Sequence, residues 1–184
     1  MGAFVASQLG MAYVLNGRPA EGVPLLERAE AQLDPCEAGS ENRIAIPLCE
    51  GFLLAGRLEE ADRLAVRALD ASRKRRERGY EAQALRLLGD IAARRDPPDA
   101  GEPESRYIES QKLAEDLEMR PLQAHCHLAL GKLYRRTGRP HEAHIELSKA
   151  VEMLRTMEMT FWLSDAESEL AGVMTSPSVK QIGI

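Results

Sequence analysis

A six-residue phrase, Gly-Arg-x-x-Glu followed by a small residue, occurs three times in this chain and restricts the folds it can adopt. The copies begin at Gly17, Gly56 and Gly138. The first two are 39 residues apart and the last two are 82 apart, about twice that step, so a copy near residue 97 has been overwritten. A period of this length is typical of stacked supersecondary units. The sequence therefore predicts an array of helical repeats.

Each copy lies between two apolar helical stretches, where a turn between antiparallel helices is expected. The Gly can end the first helix in a left-handed conformation, and the Pro or Leu two residues later can begin the second. Small and large residues recur in step with these turns and predict close helix packing. The recurring positions are Leu9-Gly10, Leu48-Cys49, Leu88-Gly89 and Leu130-Gly131, then Tyr13, Phe52, Ala92 and Tyr134, and then Ala29, Ala68, Ser110 and Ala150.

This order of Leu-Gly, Tyr, Gly and Ala resembles the tetratricopeptide repeat. The first unit departs from the family at Gly22 and the second at Cys49, and in the third residues 96–103 replace the turn. The resemblance covers residues 3–174 and implies an all-α fold, a right-handed α-solenoid of about four helical hairpins with a C-terminal capping helix. The fourth unit matches at Leu130, Gly131, Tyr134, Gly138, Ala143, Leu147 and Ala150.

One repeat domain is predicted over residues 1–174. Its repeats are expected at about 3–35, 42–76, 80–118 and 121–157, with a capping helix at 159–173 and a flexible tail at 175–184. The individual helices are predicted at 3–16, 19–33, 41–55, 58–77, 79–95, 104–118, 121–137, 140–157 and 159–173.

A narrower resemblance concerns residues 85–98, 122–138 and 157–163. These segments look like the C-terminal repeat region of large bacterial proteins that join an adenylate or guanylate cyclase-like domain to an ATPase domain. The resemblance implies that this chain is the regulatory repeat tail of such a signalling protein. No cyclase or nucleotide-binding segment is present to supply an activity.

Composition limits the partners. The chain is 44% hydrophobic, 29% charged and only 4% aromatic, with a formal net charge of −5. A negative protein is not expected to take nucleic acid or an anionic membrane as its main partner. There is no apolar run long enough to cross a bilayer and no secretory signal pattern, so a cytoplasmic protein is expected.

Catalysis finds little support in the sequence. There is no Gly-rich phosphate loop and no nucleophile elbow, so we predict no catalytic residue and no cofactor. His125 and His127 are two residues apart on a predicted helix and should point in different directions. His141 and His144 are one residue short of the zinc-protease spacing and lack a third ligand. No metal site is therefore predicted.

The cysteines and the one basic run have structural interpretations. Cys36, Cys49 and Cys126 show no metal spacing and are expected to be reduced, buried side chains. The run Arg73–Arg78 lies at a predicted helix end, where cations are favoured by unpaired carbonyls. The alternative is a contact with an acidic partner.

In the tetratricopeptide family the first helix of each hairpin lines a concave groove. Transferred to this chain, that set changes from apolar to basic and would match a peptide or protein segment with an apolar end and an acidic end. The alternative is that these are ordinary exposed helix residues. The Lys and Asn pairs of chaperone-binding members are absent, so binding of chaperone tails is not expected. The groove positions are Ser7, Met11, Arg43, Ile46, Glu50, Gln83, Arg86, Asp90, Arg94, His125, Lys132, Arg135 and Arg136.

The two ends of the array differ. The first helix is apolar on most of its surface, at Phe4 and Val5 among others, and predicts either an upstream repeat or a homodimer through these uncapped helices. The last helix has its apolar side at Trp162, Ala166 and Leu170 with acids between them, as a capping helix requires.

Two function classes remain open. The first is a non-catalytic protein–protein interaction scaffold that binds a peptide segment or partner domain in the groove. The second is a regulatory sensor that binds a small metabolite or short peptide. A closed, partly apolar pocket would favour the sensor, and an open groove would favour the scaffold.

Overall fold

A computed structural model describes residues 3–32, 40–95 and 101–174, and these residues form α-helices and turns without strands. The predicted all-α fold is confirmed, and every predicted helix is present with its ends within about three residues of prediction. The helices are α1 (Ala3–Leu15), α2 (Pro19–Ala31), α3 (Ser40–Leu54), α4 (Leu58–Arg75), α5 (Arg78–Ala92), α6 (Gly101–Asp116), α7 (Arg120–Arg136), α8 (Pro140–Thr156) and α9 (Thr160–Met174). The predicted flexible tail at residues 175–184 lies outside the described residues.

The chain divides into two compact units, Met1–Ile91 and Ala92–Ile184. In the first unit α1 packs against α2 and α3, α2 packs against α3, and α3 packs against α4. In the second unit α7 packs against α6 and α8, and α9 packs against both α8 and α7. Each unit is therefore built from helices that contact their neighbours in sequence, as repeat architectures are.

Small residues bring the paired helices of each unit together. A Cβ atom on Gly10 of α1 would lie 2.8 Å from the carbonyl oxygen of Gly22 on α2. The two backbones therefore touch. A Cβ on Gly22 would also lie 2.6 Å from Cγ2 of Val14, which explains why Gly22 stands where the tetratricopeptide family has Ala. In the second unit a Cβ on Gly131 of α7 would lie 2.5 Å from Cγ of Leu147 on α8. Even a Cβ atom does not fit at these crossings unless a neighbouring atom moves.

The turn glycines adopt the conformation predicted from the repeated phrase. Gly17, Gly56 and Gly138 have φ angles of 72°, 76° and 75°, in the left-handed region that glycine enters without steric cost. The Arg after each glycine donates its backbone N–H to the carbonyl five residues earlier. These bonds measure 2.9 Å from Arg18 and 2.8 Å from Arg139. Each such helix therefore ends in a Schellman motif.

The C-terminal end of α5 and the N-terminal end of α6 differ from prediction. Helix α5 ends at Ala92 instead of the predicted residue 95, and Ala93 and Arg94 follow in a turn. Helix α6 begins at Gly101, three residues earlier than predicted, with Pro103 in its first turn. Proline is tolerated there because the first N–H groups of a helix have no intrahelical acceptor. Among the described helices, none is both long and apolar enough to cross a membrane.

Candidate partner-binding faces

The first candidate face lies in the first unit and joins α3 to α5. Arg86 on α5 donates from Nη2 to Oε1 of Glu50 on α3 at 3.0 Å, and from Nη1 to Oδ2 of Asp90 at 2.7 Å. Its side chain is only 14% exposed. Two carboxylates therefore flank one guanidinium, in a cluster that we call the α3–α5 face.

The remaining groove positions predicted in this part of the chain are scattered. Ser7 and Ile46 are buried and do not contribute to an exposed face. Arg43 is exposed, and its guanidinium lies 5.1 Å from the centre of the Phe4 ring. Gln83 is half-buried beside a shallow recess at the start of α5. Arg94, a predicted groove position on α5, lies instead in the turn beyond the end of that helix.

The second candidate face lies on α7 in the second unit. We call His125, Lys132, Arg135 and Arg136 together the α7 face. Lys132 donates to Oδ2 of Asp165 at 2.6 Å, and Nη2 of Arg135 lies 2.8 Å from Oε2 of Glu169. The His125 ring meets Trp162 edge-on, with ring centres 4.7 Å apart. Three of its four residues thus contact α9.

Exposure distinguishes the two faces. The side chains of Lys132 and Arg135 are 37% and 41% exposed. Arg136 is exposed and forms no ion pair or side-chain hydrogen bond with any residue in the described ranges. An incoming anion can reach the cations of the α7 face, whereas Arg86 is enclosed by its own acids.

The Arg of the repeated phrase has a role that the sequence analysis missed. The guanidinium of Arg57 lies 4.3 Å from the centre of the Phe52 ring, and that of Arg139 lies 4.1 Å from the Tyr134 ring. Each is a cation–π contact on the residue whose carbonyl accepts the Arg backbone N–H. Arg18 lies over Tyr13 in the same way, at 4.6 Å. The constant five-residue spacing between the aromatic residue and the Arg is the sequence signal that could have predicted these contacts.

Arg57 and Arg139 also join helices that are two apart in the chain. Arg139 donates to both carboxylate oxygens of Glu142, at 2.7 and 2.5 Å, and to Glu104 of α6 at 2.7 Å. Tyr134 donates to the other oxygen of Glu104 at 2.8 Å. The hydrogen bond from Arg139 holds the pKa of Glu104 below its ordinary value despite partial burial. Burial and the bond to Glu104 raise the pKa of Tyr134 to about 12. Arg57 makes an equivalent pair of contacts in the first unit.

A buried histidine network is the second feature that the sequence analysis missed. As predicted, His127 and His125 face different ways. His127 is 7% exposed, and its Nδ1 lies 2.6 Å from Oε2 of Glu146 on α8. Burial opposes ionisation of Glu146, but the hydrogen bonds from His127 and Lys149 outweigh it and lower its pKa. The His127–Glu146 hydrogen bond joins α7 to α8 and stabilises their packing.

Cys49 and Cys126 are both buried thiols, as predicted. Cys49 donates from Sγ to the carbonyl oxygen of Ala61 at 3.3 Å, and burial raises its pKa to about 12. Sγ of Cys126 lies 3.3 Å from Oγ of Ser110. Cys36 lies outside the described residues. A thiol that stays protonated is a poor nucleophile and a poor metal ligand.

Two cations of the basic run at the end of α4 are paired with acids of their own unit. Helix α4 ends at Arg75, and Arg76 follows with a left-handed φ of 59°. Arg73 bonds to Glu81 and Arg75 bonds to Glu41, each at 2.8 Å. Within the described ranges, no three His, Cys, Asp or Glu side chains approach one another closely enough to hold a metal ion.

Comparison with known proteins supports the repeat architecture. The profile described as Tetratricopeptide repeat matches residues 3–28 and 124–144. None of the curated proteins matches the chain significantly. The two segments that the profile matches include α1 with most of α2, and most of α7 with the turn and start of α8.

Solved structures with the same fold extend the similarity to most of the chain. The apo form of RapI superposes with a TM-score of 0.71 at 16% identity, covering 93% of this chain and 62% of RapI. This chain therefore spans less than two thirds of RapI. The nearly identical TPR-like repeats of a Podosopora anserina protein described as a putative kinesin light chain give a TM-score of 0.67 at 18% identity, covering 96% of this chain and 87% of theirs. A single-substitution variant of those repeats matches equally well. The profile match and the shared fold together support a tetratricopeptide repeat protein.

Proposed function

We propose that this chain is a non-catalytic protein-interaction scaffold that binds an acidic peptide segment or partner domain on the α7 face. The tetratricopeptide fold is in general an interaction scaffold, and the profile match and the RapI-like neighbour agree with that use. The observation that supports this face is its accessible positive charge. Arg136 and the partly exposed Lys132 and Arg135 lie within five residues of one another on one helix.

Accessible cations favour a carboxylate-bearing partner for two physical reasons. Opposite charge increases the rate of encounter over roughly a Debye length, about 8 Å at physiological ionic strength. Arginine can also accept a carboxylate in a two-point contact once the partner is bound. The α3–α5 face is a weaker candidate because the Arg86 side chain is only 14% exposed and already pairs with Glu50 and Asp90.

The similarity of residues 85–98, 122–138 and 157–163 to the repeat tail of cyclase-like ATPase proteins extends this proposal. In that setting the scaffold is a regulatory module of a larger signalling protein, and its acidic partner is another domain of the same protein or a separate chain.

The test is direct binding of a labelled oligoglutamate peptide, with oligoglutamine of equal length as the uncharged probe. Arg136→Glu should weaken oligoglutamate binding, because it reverses an exposed charge that has no partner to lose among the described residues. Lys112→Glu, an exposed charge reversal on α6, is the matched control and should bind as the wild type does. Equal binding by Arg136→Glu and wild type would place the site elsewhere.

A further inference from the structure

The last helix, α9, covers the α7 face with acids of its own. Asp165 and Glu169 lie four residues apart and pair with Lys132 and Arg135, and Trp162 meets His125. The contacts follow the same order along both helices, so α9 runs parallel to α7. A Cβ on Gly172 would lie 2.8 Å from Nη1 of Arg135, so the guanidinium lies close along the surface of α9.

We propose that α9 is a built-in competitor for the α7 face, and that its two carboxylates set the affinity of the face for acidic partners. This inference rests on the function proposed above. An acidic ligand must either displace Asp165 and Glu169 from Lys132 and Arg135 or share those cations with them. Binding by the wild type is therefore weaker than the charges on α7 alone would produce.

The packing of α9 separates this competition from unfolding of the helix. Ala166 and Val173 are completely or almost completely buried in the core of the second unit, and they hold α9 in place through apolar contacts. Asp165 is 43% exposed and lies at the edge of that contact. The Lys132–Asp165 ion pair can consequently open by side-chain rotation while the helix remains packed, whereas Glu169 is only 19% exposed.

The matched variants are Asp165→Asn with Glu169→Gln, and Glu152→Gln with Glu167→Gln as the control. Each pair removes two negative charges and preserves side-chain size. The control breaks the 2.8 Å ion pair between Glu167 and Arg155 of α8, so it also removes an α8–α9 contact, but not one on the α7 face. Circular dichroism would verify equal helicity for both.

Oligoglutamate should bind the Asp165→Asn/Glu169→Gln variant about threefold to tenfold more tightly than wild type, because two partly exposed ion pairs no longer compete. The control should bind within about twofold of wild type, because salt screens the α7 face from the charges that the control removes. Adding Lys132→Gln and Arg135→Gln to the first variant should cancel the gain. Asp165→Asn alone should produce part of it, and this single change tests the proposal even if the double variant is unstable.

The outcomes separate this inference from the proposed function. Tighter binding by the Asp165→Asn/Glu169→Gln variant alone supports the competition. If wild type binds oligoglutamate and that variant binds no more tightly than the control, the competition is refuted while the proposed function stands. If neither wild type nor any variant binds, the acidic-partner function fails and this inference fails with it.

Discussion

Replacing Gly131 by Ala tests the closest helix crossing of the second unit. The new Cβ would lie 2.5 Å from Cγ and 2.8 Å from Cδ2 of Leu147, and 3.2 Å from its backbone nitrogen. Leu147 is fully buried, so its side chain cannot rotate into solvent. The branch point and the backbone of α8 must therefore move together.

The expected cost follows from two opposing effects. Alanine is favoured over glycine inside a helix by about 1 kcal/mol. Overpacking a buried contact costs about 1–3 kcal/mol, and the upper part of that range applies because the obstructing atoms are a branch point and a backbone nitrogen. Gly131→Ala should therefore lower the free energy of unfolding by about 1–2 kcal/mol. The melting temperature should fall by about 2–4 °C for each kcal/mol in a protein of this size.

Denaturant unfolding followed by circular dichroism would measure this loss. Gly172→Ala on α9 is the matched control, because its new Cβ would meet only the end of the flexible Arg135 side chain; it should be neutral or stabilising. Leu147→Ala removes the side-chain atoms that the new Cβ would meet. The double variant should therefore lose less free energy of unfolding than the two single variants lose in sum. Unaltered stability of Gly131→Ala, or strict additivity in this cycle, would refute the close contact.

Three further predictions concern ionisation, burial and association. Arg139→Gln should lower stability at neutral pH. The folded-state pKa of Glu104 lies below the ordinary 4.5. The stabilisation by the Arg139–Glu104 ion pair is therefore fully present above pH 4.5 and is lost as the pH falls through the folded-state pKa of Glu104. The difference in stability between the two proteins should therefore shrink in acid, where only the loss of the Arg139–Tyr134 cation–π contact remains. A difference that does not change with pH would contradict the assignment. The Cys49 thiol, whose pKa is raised to about 12, should resist maleimide in the folded protein and react after unfolding, as mass spectrometry would detect; rapid labelling of the native protein would refute its burial. The side chains of Phe4 and Val5, each 51% exposed, are proposed to form a homodimer contact, so Phe4→Ser with Val5→Ser should reduce the sedimentation coefficient. A wild type that sediments as a monomer at all concentrations would exclude this contact.

Much of the fold was accessible from local sequence. Gly17, Gly56 and Gly138 were expected to end helices in the left-handed conformation, and they do. The start of α6 is harder to predict because Pro103 resembles a loop residue, whereas a helix accepts proline before its hydrogen bonds begin. The end of α5 is equally difficult, and Arg94 lies two residues beyond it.

The candidate binding faces were only partly accessible. The sequence indicated that α7 is basic, but could not indicate which cations are already paired. Lys132 and Asp165 are 33 residues apart, and their contact depends on how α9 packs against α7. The exposure of Arg136 and the enclosure of Arg86 likewise depend on how each helix packs within its own unit.

The sequence by itself determined the repeat period, the helix order and the turns, because each depends on residues within a few positions of one another. The tertiary structure alone decided that Arg57 and Arg139 pair with acids about 30 and 35 residues away, and that the acids of α9 lie on the cations of α7. Ion pairs between helices require side chains distant in sequence to come within about 4 Å, and only the packing of the apolar faces brings them together.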